Sequence, residues 1–282
     1  MRLECSYASL LRTPDSYGRL SALSAVALFY YIAIDAVATE TKQSNQNLID
    51  RLFSVGAHFG FTKSRRHPTV VPYLFGTKQG TDIFDLEKTS VLIEDAKAVV
   101  ADVAGKGGTI LFVGTKDEVS VLVKAAAEHI AMPYMTNRWI GGTLTNFSEI
   151  KKRIARLQEL IAQGESGELE RKYTKKERVV IGREFEKLNF NFGGIKDVER
   201  APQLMVVVDP RHDAIAVDEA RELNIPVLGI TSSDGNLAKV THPVLVNDAL
   251  QDSVRLALDE LVEAYEEGKR SAVSEPTADT KN

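Results

Sequence analysis

Five short apolar runs, rich in β-branched residues, recur between residues 109 and 246, with amphipathic stretches between and around them. They are Thr109–Val113, the shorter Pro133–Met135, Leu204–Val208, Pro226–Ile230 and Pro243–Val246. Nearly continuous apolar strands belong to parallel sheets, because helices cover both faces of such a sheet. The helical stripes fit that demand. Leu86, Leu92, Ile93, Ala96 and Val99 make one, with Asp85 placed as its N-cap. Val119, Leu122, Val123, Ala126 and Ile130 make another. Ala216, Val217, Ala220 and Leu223, starting near Asp213, make a third, and Leu250, Val254, Ala257, Leu261 and Tyr265 the last. Strand and helix in alternation predict a doubly wound α/β sheet.

One segment stands apart from this pattern. Phe147, Ile150, Ile154, Leu157 and Ile161 follow a heptad spacing, and so do Ile181, Phe185, Leu188 and Phe192. Gly164-Glu165-Ser166-Gly167 interrupts the first helix. Asn146 with Glu149, and Thr174 with Glu177, have the spacing of capping boxes. Together these predict an antiparallel helical hairpin over residues 147–196, inserted into an α/β body of residues 48–146 and 197–268. The first hairpin helix, at ~1.5 Å per residue, would extend ~25 Å.

The chain has 282 residues, 44% hydrophobic and 26% charged, enough for a sizeable core. Its single cysteine, Cys5, excludes intrachain disulfides and cysteine-built metal sites. Before the body, residues 1–47 contain an apolar run from Leu20 to Ile34, shorter than a transmembrane helix requires. Arg2, Arg12 and Arg19 precede it and Ala36-Val37-Ala38 follows. That order is open to four readings: a secretory signal, an organelle presequence, an added helix docked on the body, or translated upstream sequence. The extension is expected to be dispensable, and no membrane partner is expected. Thr39 to Asn47 reads as a linker, and the polar end, residues 269–282, as a disordered tail.

Catalytic signatures are missing where the fold would put them. Gly105, Gly107 and Gly108 precede a strand, whereas dinucleotide glycines follow one. After Gly114-Thr115-Lys116, Asp117 and Glu118 place negative charge at a helix N-terminus, which suits the helix dipole and repels phosphate. The five histidines have no metal-ligand spacing, and no serine has a nucleophile-elbow context. No cofactor or metal is expected. The alternative, a nucleotide- or metabolite-binding α/β enzyme, would rest on Asp209 and His212 at a strand end. A helix cap and polar loop is the blander reading there.

The binding signal lies elsewhere. From Arg51 to Thr81 the chain carries Arg51, Lys63, Arg65, Arg66 and Lys78 and no acid. His58 and His67 and the rings of Phe53, Phe59, Phe61, Tyr73 and Phe75 are interleaved. Such a stretch suits structured RNA, with cations on phosphates and rings on sugars or unstacked bases. It equally suits a basic loop packing through its aromatics. Asn137-Arg138-Trp139 before Gly141-Gly142 is a second candidate, or else a tight turn around a buried tryptophan. The hairpin carries 13 basic and 10 acidic residues between Ser148 and Arg200, mixed enough for a solvated coiled-coil face. The formal net charge of −4 conceals this unevenness. From Asp252 to Asn282 four bases face eight acids, 4 − 8 = −4, so the rest of the chain sums to neutral.

Several words in order give the chain a specific resemblance. They are Val55-Gly56-Ala57-His58-Phe59-Gly60, Pro72-Tyr73-Leu74-Phe75-Gly76, Asp85-Leu86-Glu87-Lys88-Thr89 and Leu111-Phe112-Val113-Gly114-Thr115-Lys116. Then follow the run Asn137 to Phe147 and Gly193-Gly194-Ile195-Lys196-Asp197. Over roughly residues 48–268 the sequence resembles the S2 family of small-subunit ribosomal proteins, in its bacterial form more than an organellar one. It departs from that family's usual pattern at Phe61, at His67 and at Asp117 and Glu118. The resemblance implies a flavodoxin-like five-stranded parallel sheet with a protruding helical hairpin. It also implies a non-enzymatic constituent of the cytoplasmic ribosome that binds small-subunit rRNA and touches neighbouring proteins. In many bacteria the family helps dock ribosomal protein S1 for translation initiation. Carried onto this chain, the implied rRNA contacts are His58, Lys63, Arg65, Arg66, Tyr73, Lys78, Lys116, Asn137, Arg138 and Lys196.

Overall fold

The computed structural model describes residues 46–274, and the apolar run at residues 20–34 lies outside them. Five strands form an all-parallel sheet: β4 (Ile110–Val113), β5 (Tyr134–Met135), β6 (Leu204–Val208), β7 (Val227–Thr231) and β8 (His242–Leu245). Their order across the sheet is β5-β4-β6-β7-β8. In chain order that is 2-1-3-4-5, the flavodoxin-like arrangement, with its switch point between β4 and β6.

Alternation along each strand divides the core in two. Ile110, Phe112, Leu204, Val206, Val208, Leu228 and Ile230 face one side. There they meet α1 (residues 46–54), α2 (Leu86–Gly105), α3 (Asp117–His129) and α8 (Gln251–Ser274). Leu111, Val113, Met205, Val207 and Val227 face the other side. That side is covered by α7 (Ala214–Glu222) and by the lower part of the helical hairpin, α4 (Phe147–Glu165) and α6 (Lys175–Phe192). A short α5 (Glu168–Lys172) joins the two hairpin helices. The heptad positions Ile150, Ile154, Leu157, Leu188 and Phe192 are buried in this second core. α4 has 19 residues, so it extends ~28 Å.

The Thr174–Glu177 capping box forms as its spacing predicts. The Asn146–Glu149 box does not form. Asn146 makes no side-chain cap, its amide oxygen instead lies 3.3 Å from the Ser148 hydroxyl, and Glu149 pairs with Lys152. Asp213 likewise precedes α7 without capping it. The two departures differ in cause: the Asn146 amide oxygen faces Ser148 of α4 itself, whereas the Asp213 carboxylate is held by Thr115.

The boundaries also move. Gln46 and Asn47 are already helical rather than linker, and α8 continues to Ser274, so residues 269–274 are helical rather than tail. The basic aromatic stretch of residues 51–81, open to an RNA-binding or a basic-loop reading, carries most of a separate antiparallel sheet. Its strands are β1 (Phe59–Thr62), β2 (Leu74–Lys78) and β3 (Thr81–Phe84), in the order β1-β3-β2. Strands of four or five residues with mixed burial leave little periodicity to read.

Helices α2 and α8 touch backbone to backbone. A Cβ at Gly268 would lie 2.4 Å from the carbonyl oxygen of Ala101. Gly268→Val therefore forces the helices apart. Its urea unfolding midpoint is expected to fall by the equivalent of ~1–3 kcal/mol, with the slope unchanged.

Candidate nucleic-acid interface

The small sheet is tied across the carboxyl ends of β7 and β8. The Phe61 N–H donates to the Ser233 hydroxyl (2.8 Å), and the His67 N–H to the Ser233 carbonyl (2.8 Å). The Leu237 N–H donates to the Thr69 hydroxyl (3.1 Å), and the Asn247 N–H to the Ala57 carbonyl (3.1 Å). Beneath it Val70, Phe84 and Leu245 form a small apolar core, with Tyr73 and Leu74 packed at its edge. Ser232-Ser233-Asp234 is thus a structural turn that receives the small sheet.

The expected RNA-contacting cations divide by environment. Lys63 and Lys78 are exposed and have no ion pair among the described residues. They flank the β2–β3 turn, where the Lys63 N–H donates to the Gly80 carbonyl (3.0 Å). Arg65 lies 4.4 Å over the Phe61 ring and 3.2 Å from Asp234, which also pairs with Arg211. Arg66 reaches Asp82 (3.4 Å), a fully buried carboxylate that accepts from the Thr77 hydroxyl as well (2.8 Å). Both arginines therefore brace the small sheet, although Arg65 keeps half its side chain in solvent. Tyr73 is half-buried, and its carbonyl receives the Asp85 N–H. His58 stacks on Phe53 (centroids 4.7 Å) and meets the tilted ring of Phe59 (4.0 Å). Burial lowers its pKa below the ordinary histidine value, so at neutral pH the ring is uncharged and offers stacking rather than charge.

Lys116 is turned inward. Its ammonium lies 3.5 Å from Asp209 and 3.7 Å from Asp248. Beside it Asp213 accepts from both the N–H (3.1 Å) and the hydroxyl (2.7 Å) of Thr115, which explains why it does not cap α7. These residues sit at the switch point, where folds of this class usually seat a ligand. Here the chain's own charges fill the crevice. Asp248 is 1% exposed. Burial, then repulsion from Asp209, raises its pKa to about 7, against the attraction of Lys116. Among the described residues no cluster of His, Cys, Asp or Glu is arranged to hold a metal ion.

A second cluster gathers at the foot of the hairpin. Asn137, Arg138 and Lys196 line one shallow cavity of about 550 Å³ with Asn189 and Phe190. The Asn137 amide donates to the Phe190 carbonyl (2.6 Å), and Arg138 and Lys196 are exposed with no ion pair among the described residues. Trp139 is not part of this surface. It is 7% exposed, and its ring N–H donates to Glu219 (3.1 Å). Glu219 also accepts from the N–H groups of Gly142 (2.8 Å), Leu144 (3.0 Å) and Thr145 (3.3 Å) and from the Thr145 hydroxyl (3.3 Å). Burial pushes this carboxyl up, but its donors outweigh burial and hold its pKa below the usual carboxylate range. Sequence reading missed Glu219. It is buried on α7 beside Ala216 and Ala220, and its place within that apolar stripe is the one signal that could have flagged it.

A family model described as ribosomal protein S2 matches residues 52–268. The chain belongs to the ribosomal protein S2 family. Curated S2 relatives, each named small ribosomal subunit protein uS2, agree. That of Mesoplasma florum is 39% identical over 219 residues, 78% of this chain and 82% of the relative. That of Maridesulfovibrio salexigens is 39% identical over 218 residues, 77% and 84% of the two chains. That of Salinibacter ruber is 37% identical over 225 residues, 80% and 70%. The chain is therefore an S2 protein of bacterial type. Among the described residues no helix is long and apolar enough to cross a membrane.

Two measurements check this electrostatic picture. Glu219→Gln is expected to lower stability by ~1–3 kcal/mol, since several buried donors lose a charged acceptor. Trp139 is the chain's only tryptophan, so its emission should shift to the red as the loop loosens. The raised pKa of Asp248 has the opposite sign of effect from an ordinary ion-paired carboxylate. The folded state keeps a proton that the unfolded state has released, so this group's contribution is full below pH ~4 and is lost as pH rises through 7. The shift from 3.8 to about 7 bounds that loss at ~4 kcal/mol. Asp248→Asn should flatten the decline in urea midpoint between pH 5 and 8.

Proposed function

We propose that this S2 protein is a structural, non-catalytic constituent of the small subunit of the bacterial cytoplasmic ribosome, held there by direct contact with small-subunit rRNA. The observation that carries the reading is the small sheet over residues 59–84. It presents Lys63 and Lys78 without ion-pair partners among the described residues, while its only acid, Asp82, is buried against Arg66. Cations free of internal pairing are those that can release counterions from a phosphate backbone. The cavity at the foot of the hairpin adds Arg138 and Lys196 as a second basic contact. Of the residues implied by the family, Arg65, Arg66 and Tyr73 serve mainly to hold the small sheet in shape, and Lys116 serves the switch point.

We read residues 48–146 and 197–268 as the rRNA-bearing α/β body and 147–196 as a hairpin insertion for contacts with neighbouring proteins, S1 among them. Many hairpin charges pair locally, as Lys152 does with Glu149 and Arg156 with Glu159 and Glu184. That favours a protein contact over RNA at this element. A small-molecule enzyme is disfavoured because Lys116, Asp209, Asp213 and Asp248 fill the switch-point crevice.

Tagged protein expressed in a bacterium should cosediment with small subunits. Lys63→Ala/Lys78→Ala should weaken binding to purified small-subunit rRNA by ~10-fold or more near 0.15 M salt. It should also reduce the slope of log K against log[salt] by ~2. Recovery of the wild-type protein only in RNA-free fractions, or an unchanged slope in the double variant, would refute the reading.

A further inference from the structure

The interleaved aromatics of residues 51–81 have different fates in the fold. Phe61 lies under the Arg65 guanidinium, Tyr73 packs at the edge of a small core, and Phe53 and Phe59 both meet the His58 ring. Phe75 is in none of these arrangements, and it is 81% exposed, the most exposed of the large apolar side chains among the described residues. Its position has a backbone cause. Along β2, Leu74 pairs with Phe84 and Gly76 pairs with Ile83, so Phe75 is the extra residue of a β-bulge. Bulges re-aim a side chain and interrupt pairing, and they recur beside functional sites. Here the bulge lies on an edge strand, and nothing in the body covers the ring.

The surroundings select what could cover it. Lys78 lies three residues further along the same strand, ~10 Å away at ~3.3 Å per residue. The Lys63 N–H donates to the Gly80 carbonyl in the turn that follows Lys78, where Gln79 and Gly80 both have positive φ. The acid of this sheet, Asp82, is buried and braced by Arg66 and Thr77. A bare ring beside two unpaired cations is complementary to a nucleotide with an unstacked base: the base lies on the ring and the flanking phosphates meet the lysines. A duplex would use the cations and leave the ring bare. We infer that Phe75 is a stacking platform for an unpaired base of the small-subunit rRNA, with Lys63 and Lys78 holding the adjoining phosphates. This rests on the rRNA-binding reading and narrows it to a single-stranded or bulged element.

The test uses the full chain and purified, protein-free small-subunit rRNA. Phe75→Ala should weaken binding about 5- to 100-fold, the range for losing one base–aromatic stack, while Phe75→Trp should retain affinity. Because Trp139 is buried, the Phe75→Trp variant adds an exposed emitter, and its red-shifted emission should be quenched as rRNA is titrated in. A perfectly paired RNA duplex should bind the Phe75→Ala variant and the wild type equally. If Phe75→Ala and the wild type bind rRNA equally while Lys63→Ala/Lys78→Ala still loses affinity, the stacking inference fails and the rRNA reading survives. If neither variant changes affinity, both fail. If Phe75→Ala binds free rRNA normally but no longer cosediments with small subunits, the ring docks on a protein and the inference is overturned.

Discussion

Two-sided burial of the parallel sheet is the constraint from which the rest of this structure follows. Each strand sends alternate residues to opposite cores, so Ile110 and Phe112 need cover on one side and Leu111 and Val113 on the other. Four helices serve the first face. On the second face α7 is short, and the hairpin completes the cover with Ile150, Ile154, Leu157, Leu188 and Phe192. The hairpin is therefore not an appendage added to a finished domain. The inner face of its foot is core, while its far end and the cavity beside its foot stay open. Glu219 makes that join rigid, because a single buried carboxylate takes up the N–H groups of the loop leading into α4.

The same economy governs the edges of the sheet's carboxyl end. In other proteins of this architecture the switch point accepts a cofactor. Here Lys116 stands between Asp209 and Asp248, and Thr115 is bonded to Asp213, so the position is occupied by internal electrostatics. The neighbouring ends of β7 and β8 carry the small antiparallel sheet through Ser233 and Asn247. An architecture often used to bind small molecules has its ligand end closed by side chains and by a basic platform. What remains exposed there is surface suited to a macromolecule: Lys63, Lys78 and the ring of Phe75.

How much of this was legible depended on the range of the forces involved. The three central strands were readable because a fully buried strand must be apolar at every position, and Leu204–Val208 was located to the residue. The Thr174–Glu177 box was readable because both partners lie within one turn. The Asn146–Glu149 box has the same spacing and does not form. There the Asn146 N–H already donates to the Gly142 carbonyl and the Glu149 N–H to the Asn146 carbonyl, so neither donor of the box is free. The small sheet escaped notice because its strands are short and one of them is bulged. Of the residues taken to contact RNA, Asn137, Arg138 and Lys196 do converge on one cavity, and Lys63 and Lys78 share one turn. Lys116, Arg66 and Tyr73 are drawn inward by partners that no local pattern announces.

By itself, then, the sequence determined the layered α/β architecture, the hairpin and the family, since apolar periodicity and ordered motifs are local and repeat many times. Charge composition could say only that acids were missing from residues 51–81. Which of those cations are free depended on where Asp82, Asp234 and Glu260 arrive in space. The tertiary structure decided that, because an ion pair forms by distance and burial, and neither is encoded in the spacing of residues along the chain.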